Sequence, residues 1–350
     1  MSSQAVHFSS STMKGSYLNF LSFFKDIAAD NRRHSRNLLK LSDLPSYLQF
    51  NKYIFTGYRP LLDSIGCVTS LIYFHNETIN ILTHAIPMIV FLFWVPNDLS
   101  WTLLPFPYSL LPWLHISATI SSWIGSSIYH LFMCHISGIV TYRKLLQVDM
   151  MGIWVTQTFG ALTTLSAFTH CLSNSLRYSL FVLYCVTCVW GFYKAVSAKS
   201  VWQRRLSFTS SVIFQWSILL LRLYMPYIGP VESIRSYCKK GLCAVGSSPI
   251  ARRLCFVLPI CIRICLMYLR TYRIGGGHPD ALLHVYLQDI IALVGGAIGA
   301  LRIPEKWFPG KLDYWFNSHH IMHVLVVIAV IHMHYAAKLD LEWLSKAQCK

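Results

Sequence analysis

The sequence predicts an all-α integral membrane protein, a bundle of seven transmembrane helices with its N-terminus cytoplasmic and its C-terminus outside. Three observations carry that prediction. Of 350 residues, 54% are hydrophobic and only 13% are charged, against about 25% charged in an ordinary soluble domain. Apolar runs of about 19 to 25 residues recur along the chain, the length a helix needs to cross a bilayer core. Basic residues cluster in alternate connections between those runs. Such a composition excludes a disordered chain and a plain soluble enzyme.

The runs are read as spans at Asn76 to Val95, Leu110 to Phe132, Asp149 to Phe168, Leu176 to Val196, Leu206 to Tyr224, Leu282 to Leu301 and His319 to Ala337. With basic residues at span ends counted in the adjoining connection, a cytoplasmic N-terminus places 17 Lys and Arg inside and 13 outside; without the long connection at about 225–281 the ratio becomes 17 to 4. Long loops largely escape the positive-inside rule, so the count favours a cytoplasmic N-terminus and an outer C-terminus. Leu254 to Leu269 is also apolar, but it is short and contains Pro259 and Arg263, and it reads as an interfacial loop helix.

Residues 1–45 read as a polar, poorly ordered cytoplasmic tail, with a basic cluster from Asn31 to Arg36. Residues 46–75 read as an amphipathic cytoplasmic segment, 76–337 as the membrane domain and 338–350 as a short C-terminal tail. No secretory signal is visible, so the first span serves as the insertion signal. The net charge of +16 lies between apolar runs, where orientation and anionic headgroups account for it, and no nucleic-acid partner is expected. Among the 11 cysteines, Cys185 and Cys188 read as packing residues within a span. Cys238 and Cys243 could pair in the long outer loop.

Ionisable side chains are costly in hydrocarbon, so those at span ends are candidates for function. The second span ends in Ser126 to His130, the third opens at Asp149, and the seventh opens with His319, His320 and His323. His319 and His323 are four apart and share a helix face, whereas His320 points a quarter-turn away. The predicted topology places His130, Asp149, His319 and His323 in the cytoplasmic leaflet. Three imidazoles with a nearby carboxylate and an open position describe a catalytic zinc site. There Asp149 would hold or deprotonate water, and Ser126 would hydrogen-bond water or substrate. Interhelical polar contact and a proton relay are the alternative readings of the same residues.

Glu77, Asn80 and His84 share a face at the start of the first span and read as anchors for the N-terminal segment. His284 and Asp289 are expected to face the bundle or a wet cavity, and Gly295, Gly296 and Gly299 to allow close helix contact. His332 and His334 lie too far along the helix to reach the same metal and read as interfacial. Trp94, Trp101, Trp113 and Trp307 read as aromatic-belt residues.

Phe55-Thr56-Gly57-Tyr58-Arg59-Pro60, the segment from His75 to His84, Ser126 to Cys134 with Asp149 following, and Pro309-Gly310 leading into Ser318 to His323 together resemble the progestin and adipoQ receptor family. The match runs in order from about Leu38 to Trp343 apart from the long loop. The resemblance implies a seven-helix bundle with a cytoplasmic N-terminus. It also implies zinc held by His130, His319 and His323, with Ser126 and Asp149 in the surrounding shell or on bound water. Departures from the family pattern are His320 in place of a common Gln, Leu82 in place of a usual Trp, and Asp149-Met150 in place of Asp-Tyr. The insertion from about Glu232 to His278 has no counterpart in the pattern.

Some relatives resemble alkaline ceramidases, and others are described as receptors for adiponectin or progestins. Two functions follow as expectations. One is a zinc-dependent amidase acting on ceramide or a related lipid amide, with a place in ceramide and sphingolipid homeostasis. The other is a signalling receptor or scaffold, with a hormone or protein partner and a purely structural zinc. Residence in the Golgi or plasma membrane is expected.

Overall fold

The computed structural model describes residues 37–99, 101, 104–170, 173–175, 177, 178, 182, 270–272 and 276–347. Regular structure among them is helical, with only isolated bridges at Leu39–Tyr58 and Leu62–His135. The helices are α1 (Ser64–Thr69), α2 (Thr78–Asp98), α3 (Leu111–Phe132), α4 (Ile139–Thr169), α5 (Ala281–Leu301) and α6 (Ser318–Lys346). Helices α2 to α6 coincide with the first, second, third, sixth and seventh predicted spans. By length and composition, α2, α5 and α6 can cross a membrane. Helices α3 and α4 have the length, at 22 and 31 residues, but carry more polar side chains. Apart from residues 177, 178 and 182, the fourth and fifth predicted spans lie outside the described residues. So do the loop helix at Leu254 to Leu269, the cysteines at 185, 188, 238 and 243, and the basic cluster from Asn31 to Arg36.

Three boundaries differ from the sequence expectation. Helix α4 starts at Ile139, so Asp149 lies within it, about 15 Å along its axis at the usual rise per residue. Hydropathy ends a span where charge appears, but a helix continues while its backbone bonds and packing do. Arg143 and Lys144 point outward, while Tyr142, Leu145 and Leu146 pack on the N-terminal segment. Helix α6 runs nine residues past Ala337, to Lys346, because Leu341 and Leu344 join the core and buried Asp340 pairs with Arg270. Residues 37–45, expected in the loose tail, also fold onto the bundle. The Leu39 N–H donates to the Tyr58 carbonyl at 2.7 Å, and Leu44 is buried with Leu48, Ile54, Tyr58, Tyr129 and Met133.

The main core joins α2, α3, α4 and α6 through Phe91, Val95, Leu111, Trp123, Trp154, Leu162, Val330 and Leu341. Outward faces of α2 and α5 remain apolar, with Ile86, Ile89, Phe93, Leu283, Ile290 and Val294 exposed. Lipid chains suit such faces. Small residues set the close crossings. A Cβ on Gly125 of α3 would stand 2.8 Å from the Val148 carbonyl oxygen and 3.0 Å from the Asp149 Cα, so the glycine lets α4 approach one residue from Ser126. Gly295 and Gly299 similarly face Leu325 and Met322 of α6, as their spacing predicts, while Gly296 faces open space.

Buried polar groups lock the N-terminal segment onto the ends of α3 and α6. The Arg59 guanidinium donates to the carbonyls of His130 at 2.6 Å and Leu131 at 2.9 Å, and to Ser70 Oγ at 2.7 Å. It therefore satisfies orphan carbonyls at a helix C-terminus, where positive charge is favoured. At the start of α6, the Asn317 side chain accepts from the N–H groups of His319 and His320. Fully buried Glu305 accepts from the Ser318 N–H at 2.7 Å and from Asn51 Nδ2 at 3.2 Å. Asp313 accepts from the N–H groups of Phe55 and Thr56, at 3.1 and 2.8 Å. These carboxylates tie residues 51–56 to the helix that carries two of the candidate ligands.

Candidate metal centre

His130 occupies the last turn of α3, and His319 and His323 the first two turns of α6. One ligand nitrogen from each lies within 4.8 Å of the others. The Nε2 atoms of His130 and His319 are 3.2 Å apart. With zinc–nitrogen bonds of about 2.0–2.1 Å, two nitrogens of a tetrahedral site stand about 3.4 Å apart, so the separation suits two ligands of one ion.

Helix α2 and the turn before it set the protonation pattern. His130 Nδ1 lies 2.8 Å from Glu77 Oε2, which also accepts from Asn80 Nδ2 at 2.7 Å. An ionised carboxylate only accepts, so Nδ1 carries the hydrogen and Nε2 keeps its lone pair. Thr83 Oγ1 lies 3.1 Å from His323 Nδ1 and donates its one hydrogen to the Ile79 carbonyl at 2.7 Å. It must therefore accept from His323 Nδ1–H, which leaves Nε2 of His323 free as well. His84 stacks on His323 with ring centroids 3.8 Å apart. The donor set thus fits a divalent ion of borderline softness, with two of three imidazoles held in the ligating tautomer.

Glu77, Asn80 and His84 share a face as expected, and their side chains also meet metal-site histidines and one another. Arg59, Glu305 and Asp313 add buried polar ties to the N-terminal segment. The orienting role of Glu77 escaped the sequence because a carboxylate at a helix N-terminus is favoured for its own sake. Its partner is 53 residues away. Glu77 paired with a histidine in a neighbouring helix end is the signal that could have found it.

Ser126 is buried one turn before His130, and Asp149 is half-buried on α4 at the Gly125 crossing. Neither supplies an atom to the three-nitrogen group, which among the described residues consists of the histidines alone. His320 is buried beside Asn317, 3.3 Å from its Nδ2, and stays out of the group as its angular offset predicts. Just before α2, burial and the Arg59 charge push the His75 pKa down to about 3, so this ring is neutral. Its Nδ1 accepts from the Glu77 N–H at 3.1 Å.

Midway along α6, His334 is fully buried because α2 and α3 supply partners: its Nδ1 is 3.1 Å from His115 Nε2 and its Nε2 is 3.0 Å from Asp98 Oδ2. His332 is half-buried, with its Nδ1 2.9 Å from His284 Nδ1. Asp289 is buried. Trp101, Trp113 and Trp307 are exposed, as belt residues are, while Trp94 packs on Phe91 and His334.

Residues 72–335 match the haemolysin-III-related family. The chain is also 33% identical over 312 residues to human progestin and adipoQ receptor family member 4, an alignment that covers 89% of this chain and 96% of that protein. This chain belongs to the progestin and adipoQ receptor family. The family's relatives extend well beyond animals, since heptahelical transmembrane protein 1 of Arabidopsis thaliana is 25% identical over 90% of this chain and 84% of its own length. The adiponectin receptor protein of Drosophila melanogaster is 25% identical over 88% of this chain and 60% of its own length. Family membership and the apolar helices make the chain an integral membrane protein.

Proposed function

We propose that this chain is a seven-helix membrane protein that binds zinc through His130, His319 and His323 and hydrolyses a lipid amide, with ceramide the substrate class. The observation that carries this reading is the three-imidazole group with no fourth protein donor within its ligand distances among the described residues. Structural zinc sites usually close with four protein ligands, whereas catalytic ones keep a position open. Basic-residue asymmetry supports the cytoplasmic N-terminus and outer C-terminus. A zinc ion held there would polarise an amide carbonyl and activate water at neutral pH.

This chain's own residues then divide the work. Glu77 and Thr83 hold two imidazoles in register, and Asn80 fixes Glu77. Asp149 takes the proton from attacking water and returns it to the departing amine, which balances the hydrolysis without a further acid. Ser126 orients water or the amide by a hydrogen bond. The apolar outer faces suit a substrate that enters from the bilayer, and the site serves ceramide and sphingolipid homeostasis in the Golgi or plasma membrane.

A second reading, a receptor or scaffold with structural zinc, has its own support. The buried clamps of Arg59, Glu305 and Asp313 couple the N-terminal segment to the ligand-bearing helix ends. That linkage could carry a signal from a hormone or protein partner. The two readings separate when purified wild type and the Asp149→Ala and His323→Ala variants are assayed for bound zinc and for fatty-acid release from ceramide. Turnover in wild type, with Asp149→Ala retaining zinc and losing release, supports the amidase. Zinc without release supports the receptor or scaffold, and wild type without zinc overturns both.

A further inference from the structure

Beyond the metal centre, two thiols meet that neither functional reading uses. Cys67 on α1 and Cys134, two residues past the end of α3, are buried free cysteines with their sulfurs 3.9 Å apart. The segments around them are already registered by backbone bonds. The Leu62 N–H donates to the Cys134 carbonyl at 3.0 Å, and the Ile136 N–H donates to the Leu62 carbonyl at 2.7 Å. The two cysteines are 67 residues apart in sequence, so a bond between them would close a long loop. Closure needs the sulfurs to approach from 3.9 Å to about 2.05 Å.

Chemistry around the pair favours reaction at Cys134. A small cavity has Arg59, Glu77, Met133 and Cys134 in its wall, which gives a water-sized oxidant a place beside that sulfur. A hydrogen bond between the two thiols, which either sulfur can donate, and the nearby Arg59 guanidinium pull the Cys134 thiol below the ordinary cysteine range. Lower thiol pKa and a neighbouring resolving thiol are the features that separate redox-active cysteines from inert core ones.

We propose that Cys67 and Cys134 form a reversible disulfide when the protein meets a hydroperoxide, tying α1 to the end of α3. The Cys134 thiolate attacks one peroxide oxygen, forming an S–O bond and breaking the O–O bond, and the departing hydroxide takes a proton to become water. Cys67 sulfur then attacks the sulfenic sulfur, forming the S–S bond and releasing the second water. The two sulfurs together lose two electrons, which reduce one hydrogen peroxide to two waters.

The test uses the full chain, reduced and then kept without oxygen in detergent micelles, and exposed to hydrogen peroxide. After acid quench and unfolding, free thiols are blocked with N-ethylmaleimide and the peptides are weighed. The expected product joins the Cys67 and Cys134 peptides, lighter by two hydrogens, and dithiothreitol restores both free thiols. Most of the other nine cysteines stay open to the blocking reagent and serve as internal controls. In Cys67→Ser the expected product is a Cys134 sulfenic acid trapped by dimedone. Unchanged blocking of both thiols in wild type after peroxide, or either one joined to a different cysteine, overturns the proposal.

Discussion

Histidines gather at the Ser318 end of α6 and again in its middle, and the two gatherings differ in what their nitrogens face. At the Ser318 end, Glu77 and Thr83 occupy the Nδ1 atoms of His130 and His323, and one nitrogen from each of His130, His319 and His323 lies within 4.8 Å of the others. In mid-helix both nitrogens of His334 are taken, one by His115 and one by Asp98, which Lys338 neutralises at 2.8 Å. About 16 Å separates His323 from His334 along the helix. Residue type is shared, yet one gathering presents lone pairs and the other consumes them. Supporting carboxylates decide which: Glu77 binds the nitrogen that points away from its cluster, and Asp98 closes a chain.

Substitutions can break or sharpen that contrast. The largest effect is expected at Asp149, where Asn keeps zinc but lowers ceramide turnover by about 10²- to 10⁴-fold, the usual range for a lost general base; steady-state fatty-acid release measures it. Glu77→Gln is next. It should weaken zinc binding by about 10- to 100-fold, as loss of an orienting partner does, read by competition with a chelator. An unchanged affinity would return Glu77 to a purely structural role.

Smaller effects belong to packing and to the mid-helix cluster. Gly125→Ala forces a methyl group against the α4 backbone and should cost about 1–3 kcal/mol of stability, seen as a lower Tm in micelles. His334→Ala leaves His115 without its partner and should also destabilise by about 1–3 kcal/mol, while zinc content stays at the wild-type level. A loss of zinc from His334→Ala would mean that the two histidine clusters are one system.

Much of this was legible in the residues. Five of the predicted spans coincide with α2 to α6, because apolar runs of that length have few other solutions. His319 and His323 were recognisable from their spacing, and His130 from the depth at which the charge asymmetry placed it. What stayed hidden depends on contacts distant in sequence. Thr83 reaches His323 across 240 residues, and Asp313 reaches Thr56 across 257. The burial of His334 was hidden because its partners, His115 and Asp98, sit on other helices. The early start of α4 was hidden by Arg143 and Lys144, whose charges end the apolar run and leave the helix backbone unaffected.

Metal is expected at the Ser318 end of α6 alone, and elemental analysis of purified wild type, His323→Ala and His334→Ala measures it. One zinc per chain is expected in wild type and in His334→Ala, and none in His323→Ala. Zinc retained by His323→Ala, or absent from wild type, would contradict that expectation.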